Sequence, residues 1–259
     1  MVAQGVGCVE GSGPGRAARG GLGTVRNAER LLGLLSRRGS WHQLSDLAEA
    51  SGMSLPTVHR LLRSLVDAEL AVQDPISARY GLGPELVRLA GHVTSRHPVV
   101  TAASPYLVRL HQEVSATVQL SMLVRGELVV LDRIEGSDPG PYREPRRPQP
   151  ALESAAGRLL AARGSDEVWR AAVEQSTQPG AEEPSESARN EWATAESLRH
   201  DREPMLGGGD LAVVIDPVGV ESTTAVSILL EPPATDRLDA MVAPLTRAAH
   251  AIARTVGHG

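Results

Sequence analysis

The segment LSDLAEASGMSLPTVHRLLRSL, residues 44–65, constrains this chain more than any other. Leu44, Leu47 and Ala48 recur at helical spacing until Gly52, a residue that takes the left-handed conformation ending a helix without steric cost. Ser54 then stands where a helix cap belongs, and Pro56 falls in the first turn, where its missing N–H costs little. Val58, Leu61, Leu62 and Leu65 make a stripe that asks to be buried. Ala48 is small enough for two helices to cross closely, Gly52 permits the tight turn, and Val58 packs back across the crossing. That spacing predicts a helix-turn-helix whose second helix shows Ser54, Leu55, Thr57, His59, Arg60, Arg63 and Ser64 to its surroundings.

The flanks extend this unit. TVRNAERLLGLLSRRG predicts a helix capped by Thr24, with Val25, Ala28, Leu31, Leu32 and Leu35 on one face and Gly39 as its stop. LAVQD and RYGLG, short β-prone runs around PISA, predict a hairpin standing beside the helix as a wing, with Arg79 near its tip. A winged helix-turn-helix enters the DNA major groove by the first residues of its second helix, and arginines there meet phosphates and base edges. The expected partner is therefore double-stranded DNA, and the expected contacts are the seven residues above with Arg79. A small helical bundle with merely solvated arginines is the plainer alternative, which the wing and the Ala48, Gly52, Val58 spacing outweigh. PELVRLAGHV follows, with Leu86, Leu89, Ala90 and Val93 on one stripe. A helix this short is marginal alone, so the stripe needs a partner, and an interdomain helix that also pairs two copies is expected. Two heads in a symmetric dimer would read a pseudo-palindromic operator.

Charge separates the chain into unequal parts. Residues 1–97 carry 11 arginines against 8 acidic residues, and residues 98–259 carry 15 against 23, within a net charge of −5. A mildly basic head thus precedes an acidic body. All 26 basic residues are arginine, so position rather than abundance carries the argument. Cys8 is the single cysteine and supplies neither an internal disulfide nor a cysteine metal site. No apolar run approaches the roughly eighteen residues of a membrane span, and residues 1–23 lack the apolar core of a secretory signal. The expectation is a soluble, cytoplasmic protein with a disordered tail over 1–23, a winged helix-turn-helix over 24–83, a linker helix over 84–97 and a second domain over 98–259.

In that second domain SPYLVRLHQEVSA predicts a helix capped by Ser104 with Pro105 at its first position. TVQLSMLV and ELVVLDRIEG predict a hairpin through Arg125 and Gly126, and PGPYREPRRPQP, residues 139–150, a loop. The helices ESAAGRLLAARG and DEVWRAAVEQ, a mobile STQPGAEEPSES and a helix SARNEWATAESLRHD come next. Strands DLAVVIDPV and TTAVSILLEP, divided by a turn at Gly219, lead to a last helix that Pro244 should kink or split. This order is α+β around a mostly antiparallel sheet. No G-x-S-x-G elbow, phosphate loop, G-x-G-x-x-G or H-E-x-x-H is present, and the eight histidines lack metal-ligand spacing and read as solvated. Asp132 with Arg133 reads as an ion pair at a strand edge, and no catalytic residue, metal or cofactor is expected.

Taken in order, LSDLAEASGMSLPTVHRLLRSL, YGLGPELVRLA and PALESAAGRLLAA resemble the IclR family of transcriptional regulators, from residue 24 to about residue 256. The resemblance implies a winged helix-turn-helix joined by a linker helix to a GAF-like effector-binding domain, acting as a homodimer or dimer of dimers on DNA. It also implies a small-molecule effector, often an organic acid, held against the sheet. By position the implied contacts are Gln119, Ser121 and Met122 on the first strand, and Leu152, Ser154 and Ala155 where ESAAG opens its helix. Asp210, Ala212, Val214, Ser227 and Leu229 on the returning strands complete the set. A helix N-terminus there favours an anion, and Glu153 opposes one. YREPRRPQP and REPMLGGGDLAVVI, which both border this place, depart from the family pattern. The expected function is a DNA-binding regulator modulated by an effector; the alternative is an effector-free regulator or a protein-interaction module on the same fold.

Overall fold

A computed structural model describes residues 17–37, 39, 41–136, 147–176, 183–201, 208–216, 223–230, 237 and 239–257, with side chains from residue 23 onward. Residues 139–146 of the expected loop, residues 177–182 of the polar segment and the turn at Gly219 lie outside the described residues, as does Cys8. The chain forms two units, Met1–Val93 and Thr94–Gly259.

In the first unit α1 (Ala17–Leu35), α2 (Leu44–Ser51) and α3 (Leu55–Asp67) close on one core. Helix α1 begins seven residues before Thr24, which is therefore not its cap. Gly52 takes φ 66° after α2, the left-handed conformation that turns the chain into α3. Leu31, Leu47, Val58 and Leu62 are almost completely buried at the crossing, with Ala48 between the helices. Strands β1 (Ala71–Gln73) and β2 (Tyr80–Leu82) pair antiparallel as the wing, and His42 adds a single bridge to Tyr80. Leu62→Ala removes a fully enclosed side chain and should cost about 2–5 kcal/mol, read by urea unfolding of the full chain. Helix α4 (Glu85–Arg96) buries none of its residues.

The second unit is one sheet covered on both faces. Helix α5 (Pro98–Val114) precedes the hairpin of β3 (Thr117–Val124) and β4 (Glu127–Ile134). Arg125 and Gly126 both have positive φ, at 51° and 81°, as a two-residue hairpin turn requires. The short β5 (Gln149–Pro150) pairs with β4, so the predicted loop ends in a strand. Helices α6 (Ala155–Arg163), α7 (Asp166–Ser176) and α8 (Glu186–Thr194) follow. Then come β6 (Ser197–Asp201), β7 (Gly209–Ile215), β8 (Thr224–Leu230) and α9 (Val242–Gly257). The order β5-β4-β3-β8-β7-β6 is antiparallel throughout.

Strand alternation sends Val118, Leu120, Leu211, Val213, Val226 and Ile228 to one face, against α5 and α9. The opposite face gives Leu128, Ala212, Val214 and Ala225 to α6. Three local expectations are corrected. Helix α5 starts at Pro98 rather than at Ser104, and Pro105 lies inside it; the buried stripe Val99, Ala103, Leu107, Leu110 and Val114 is continuous, and Thr101, four residues before Pro105, is exposed. The predicted helix SARNEWATAESLRHD stops at Thr194, and its last residues form edge strand β6 beside β7. Pro244 falls in the first turn of α9, where an N–H has no intrahelical partner, so it opens that helix instead of breaking it.

Candidate functional site

On α3 the outward residues form a polar edge. His59, Arg60, Arg63 and Ser64 are exposed, Leu55 is 50% exposed and Thr57 is half-buried. Ser54 has the backbone of a cap, but its hydroxyl bonds to that of Thr57 at 2.8 Å rather than to a backbone N–H. Ser64 donates to the Arg60 carbonyl at 3.2 Å. The guanidinium groups of Arg60 and Arg63, one helical turn apart, have no hydrogen-bond or ion-pair partner among the described residues. At the wing, the Asp74 carboxylate accepts from the Ser77 hydroxyl, from the Ser77 N–H at 3.0 Å and from the Ile76 N–H at 3.3 Å. Those bonds, the Ser77 hydroxyl foremost, hold the Asp74 carboxyl below its usual range. The wing turn is thereby fixed, with exposed Arg79 just after it.

On the α6 face of the sheet lies a cavity of about 10 Å³, of the order of one water molecule. Gln119, Ser154, Asp210, Ser227 and Leu229 line it, all of them among the expected contacts. Leu128, Gln149, Glu153 and Ala156 complete the lining. Glu153 is the acidic residue already noted at this helix start; a bare sequence gives little sign of the other three, and Gln149 reaches the site only because β5 pairs with β4.

Three hydrogen bonds hold the α6 N-terminus. The Ser154 hydroxyl accepts from the Gly157 N–H at 3.1 Å and donates to the Ala151 carbonyl at 3.3 Å. The Ala155 N–H donates to Asp210 Oδ2 at 2.8 Å, and His200 Nδ1 donates to Asp210 Oδ1 at 3.1 Å. His200, expected to be solvated, is thus paired, because β6 sets it directly opposite Asp210 on β7. Arg158 donates to the Leu152 carbonyl at 2.7 Å and stacks 5.0 Å from the Trp192 ring. Burial pulls its guanidinium below the ordinary arginine value, against the opposing pull of Asp210. Trp192 lies 6.1 Å from Trp169 at a 58° tilt, and Arg189 covers Trp169 at 5.3 Å.

The remaining expected contacts sit elsewhere. Ser121 accepts a 2.7 Å bond from Gln119 Nε2 without lining the cavity. Met122 alternates to the opposite face from Gln119 and Ser121, opposite Thr224. Ala155, Ala212 and Val214 pack into the core under α6, and Leu152 packs with Ala151, Ala161 and Ala172 beside the tryptophans. Arg133 pairs with Glu135 at 3.0 Å, rather than with Asp132 as expected. Among the described residues no cluster of three or more His, Cys, Asp or Glu could hold a metal, and no helix is long and apolar enough to cross a membrane.

A helix-turn-helix with a wing, on one chain with an antiparallel sheet that carries helices on both faces, defines a two-unit winged-helix protein of α+β class. The IclR helix-turn-helix domain matches residues 24–75, and the bacterial transcriptional regulator IclR C-terminal domain matches residues 91–182. The chain belongs to the IclR family. It is 34% identical over 115 residues to an HTH-type transcriptional regulator of Mycobacterium tuberculosis, covering 44% of each chain. It is 30% identical over 140 residues to the glycerol operon regulatory protein of Streptomyces coelicolor, covering 54% of this chain and 55% of that one. The chain thus spans about half the length of the curated relatives it matches. In fold it is similar to an IclR transcriptional regulator from Alicyclobacillus acidocaldarius, at a TM-score of 0.71 and 22% identity over 91% of this chain and 99% of that one. A similar fold occurs in an IclR homologue from Microbacterium hydrocarbonoxydans complexed with 4-hydroxybenzoate, at a TM-score of 0.64 and 21% identity over 91% of this chain and all of that one.

Proposed function

We propose that this protein is a cytoplasmic transcriptional regulator that binds operator DNA through α3 and its wing and whose binding is modulated by a small molecule seated between α6 and the sheet. The observation that carries the reading is the pair of exposed guanidinium groups of Arg60 and Arg63 on the polar edge of α3, without partners among the described residues. A helix of this kind lies in the major groove with its first turns against base edges, while Ser54, Thr57 and Arg79 reach phosphates. The proposed domains are the winged helix-turn-helix over 24–83, the linker over 84–97 and the effector domain over 98–259. A gel-shift with the DNA upstream of the gene tests the reading: a shifted band whose affinity falls steeply with salt is expected, and its absence defeats the proposal.

The protein acts as a homodimer, because α4 leaves an apolar stripe uncovered, with Leu89 42% and Val93 66% exposed. Enclosing two such side chains stabilises association by about 3–6 kcal/mol. The pair Leu89→Glu and Val93→Glu should therefore weaken dimerisation by roughly a hundredfold or more, seen in sedimentation velocity. The small cavity favours one further reading, an effector-free regulator on the same fold. A rise in melting temperature with small organic compounds decides for the effector, since a ligand bound to the folded state alone stabilises it.

A further inference from the structure

We infer that Leu55 reads the C5-methyl group of a thymine in each half of the operator, so that the leading turn of α3 recognises its site by an apolar contact and not by a hydrogen bond. This rests on the reading of α3 as the helix that lies in the major groove. The first residues of such a helix come closest to the base edges. In this chain they include Leu55 and Pro56, both exposed, and neither side chain can donate or accept a hydrogen bond. Among the large apolar side chains that stand exposed in the described residues, Leu55 is the one on α3, with half of its surface open. Met53 and Val66 pack against the core of this unit, and Leu55 does not join them.

The polar groups of the same turn are directed elsewhere. The Ser54 and Thr57 hydroxyls bond to each other at 2.8 Å, and the Thr57 and Val58 N–H groups both donate to the Ser54 carbonyl, at 2.9 Å and 3.0 Å. Pro56 has no N–H to give. Donors that remain at this end, such as the Leu55 N–H and the hydroxyl proton that the Ser54 and Thr57 pair leaves over, suit a phosphate oxygen. Base edges in the major groove are otherwise rows of donors and acceptors, and the thymine methyl is the one apolar feature that an aliphatic side chain can select. Enclosing that methyl against Leu55 gives about a fourfold preference for thymine. A homodimer makes the contact twice, so the whole operator gains on the order of tenfold.

Gel-shifts of the full chain on the DNA upstream of its gene test this. Uracil is placed for thymine at one symmetric pair of positions at a time, an exchange that removes the methyl groups and keeps every hydrogen-bonding group of the base. At least one such pair should weaken wild-type binding about tenfold. Leu55→Ala should bind the thymine operator about tenfold more weakly and be indifferent to uracil at that pair. The uracil scan of the wild type is decisive by itself if the alanine variant does not fold. A wild type indifferent to every methyl, or an alanine variant that keeps the wild-type dependence on it, overturns the role of Leu55 and leaves DNA binding by α3 standing. An alanine variant that binds thymine DNA as tightly as wild type assigns the leucine to a protein partner, and the inference falls. Absence of a shifted band with thymine DNA overturns the DNA-binding reading itself.

Discussion

Replacing Arg60 and Arg63 together by alanine weakens operator binding by at least about 30-fold and leaves the melting temperature of the chain unchanged. Both guanidinium groups are exposed and lack partners among the described residues, so their removal breaks no internal bond. Loss of a base-contacting arginine typically costs about 1–3 kcal/mol and relaxes specificity at that base pair. The double variant should therefore lose between roughly 30-fold and 10⁴-fold in affinity. If one of the two instead meets a phosphate, the slope of log affinity against log salt becomes shallower by about one unit and all sequences weaken together. Competition gel-shifts at several salt concentrations separate these cases. Unchanged affinity and an unchanged slope would move the DNA face away from α3 altogether.

The second large effect is expected at Gly157, in the first turn of α6. A Cβ there would stand 2.0 Å from the Ala151 carbonyl oxygen and 2.5 Å from its carbon. Both are backbone atoms, so no side chain can swing aside. Gly157→Ala must push α6 off the turn at residues 151–153, breaking the Ser154 bond to the helix and the hold of Ala155 on Asp210. A loss of about 3 kcal/mol is expected, at the upper end for overpacked sites, together with loss of any ligand-induced stabilisation. Gly33→Ala is the control, since nothing lies within 4 Å of a Cβ there. That position sits inside α1, where alanine exceeds glycine in helix propensity, so a gain of up to about 1 kcal/mol is expected. Differential scanning calorimetry of the full chain resolves both changes.

The helix-turn-helix was legible because its determinants are local: Ala48, Gly52 and Val58 act within eleven residues, and each does what its size or backbone freedom dictates. The long apolar strands β7 and β8 were equally plain, being buried on both faces. Less legible were positions decided by pairing. Strand β6 reads as helix in isolation and becomes strand only beside β7, which is also what makes a partner of His200. Ser104 and Pro105 carry the local pattern of a helix start, but Pro98 already opens the same helix and the buried stripe runs through both. Around the cavity Gln119, Ser154, Asp210, Ser227 and Leu229 converge, whereas Met122 follows Ser121 and by alternation faces the other way. The resemblance did not disclose that Asp210 bonds to the helix end, since that depends on one 2.8 Å bond spanning 55 residues.

The stacked side chains beside α6 carry an optical consequence. Two indoles 6.1 Å apart and tilted by 58° couple their excited states, so Trp169 and Trp192 should give an exciton couplet in circular dichroism. The third tryptophan, Trp41, belongs to the other unit, and Trp41→Tyr would leave an emission signal from the α7–α8 pair alone. Because Arg158 caps that pair at one end and feels Asp210 at the other, the spectrum becomes a native gauge of events at the cavity, with no dye attached.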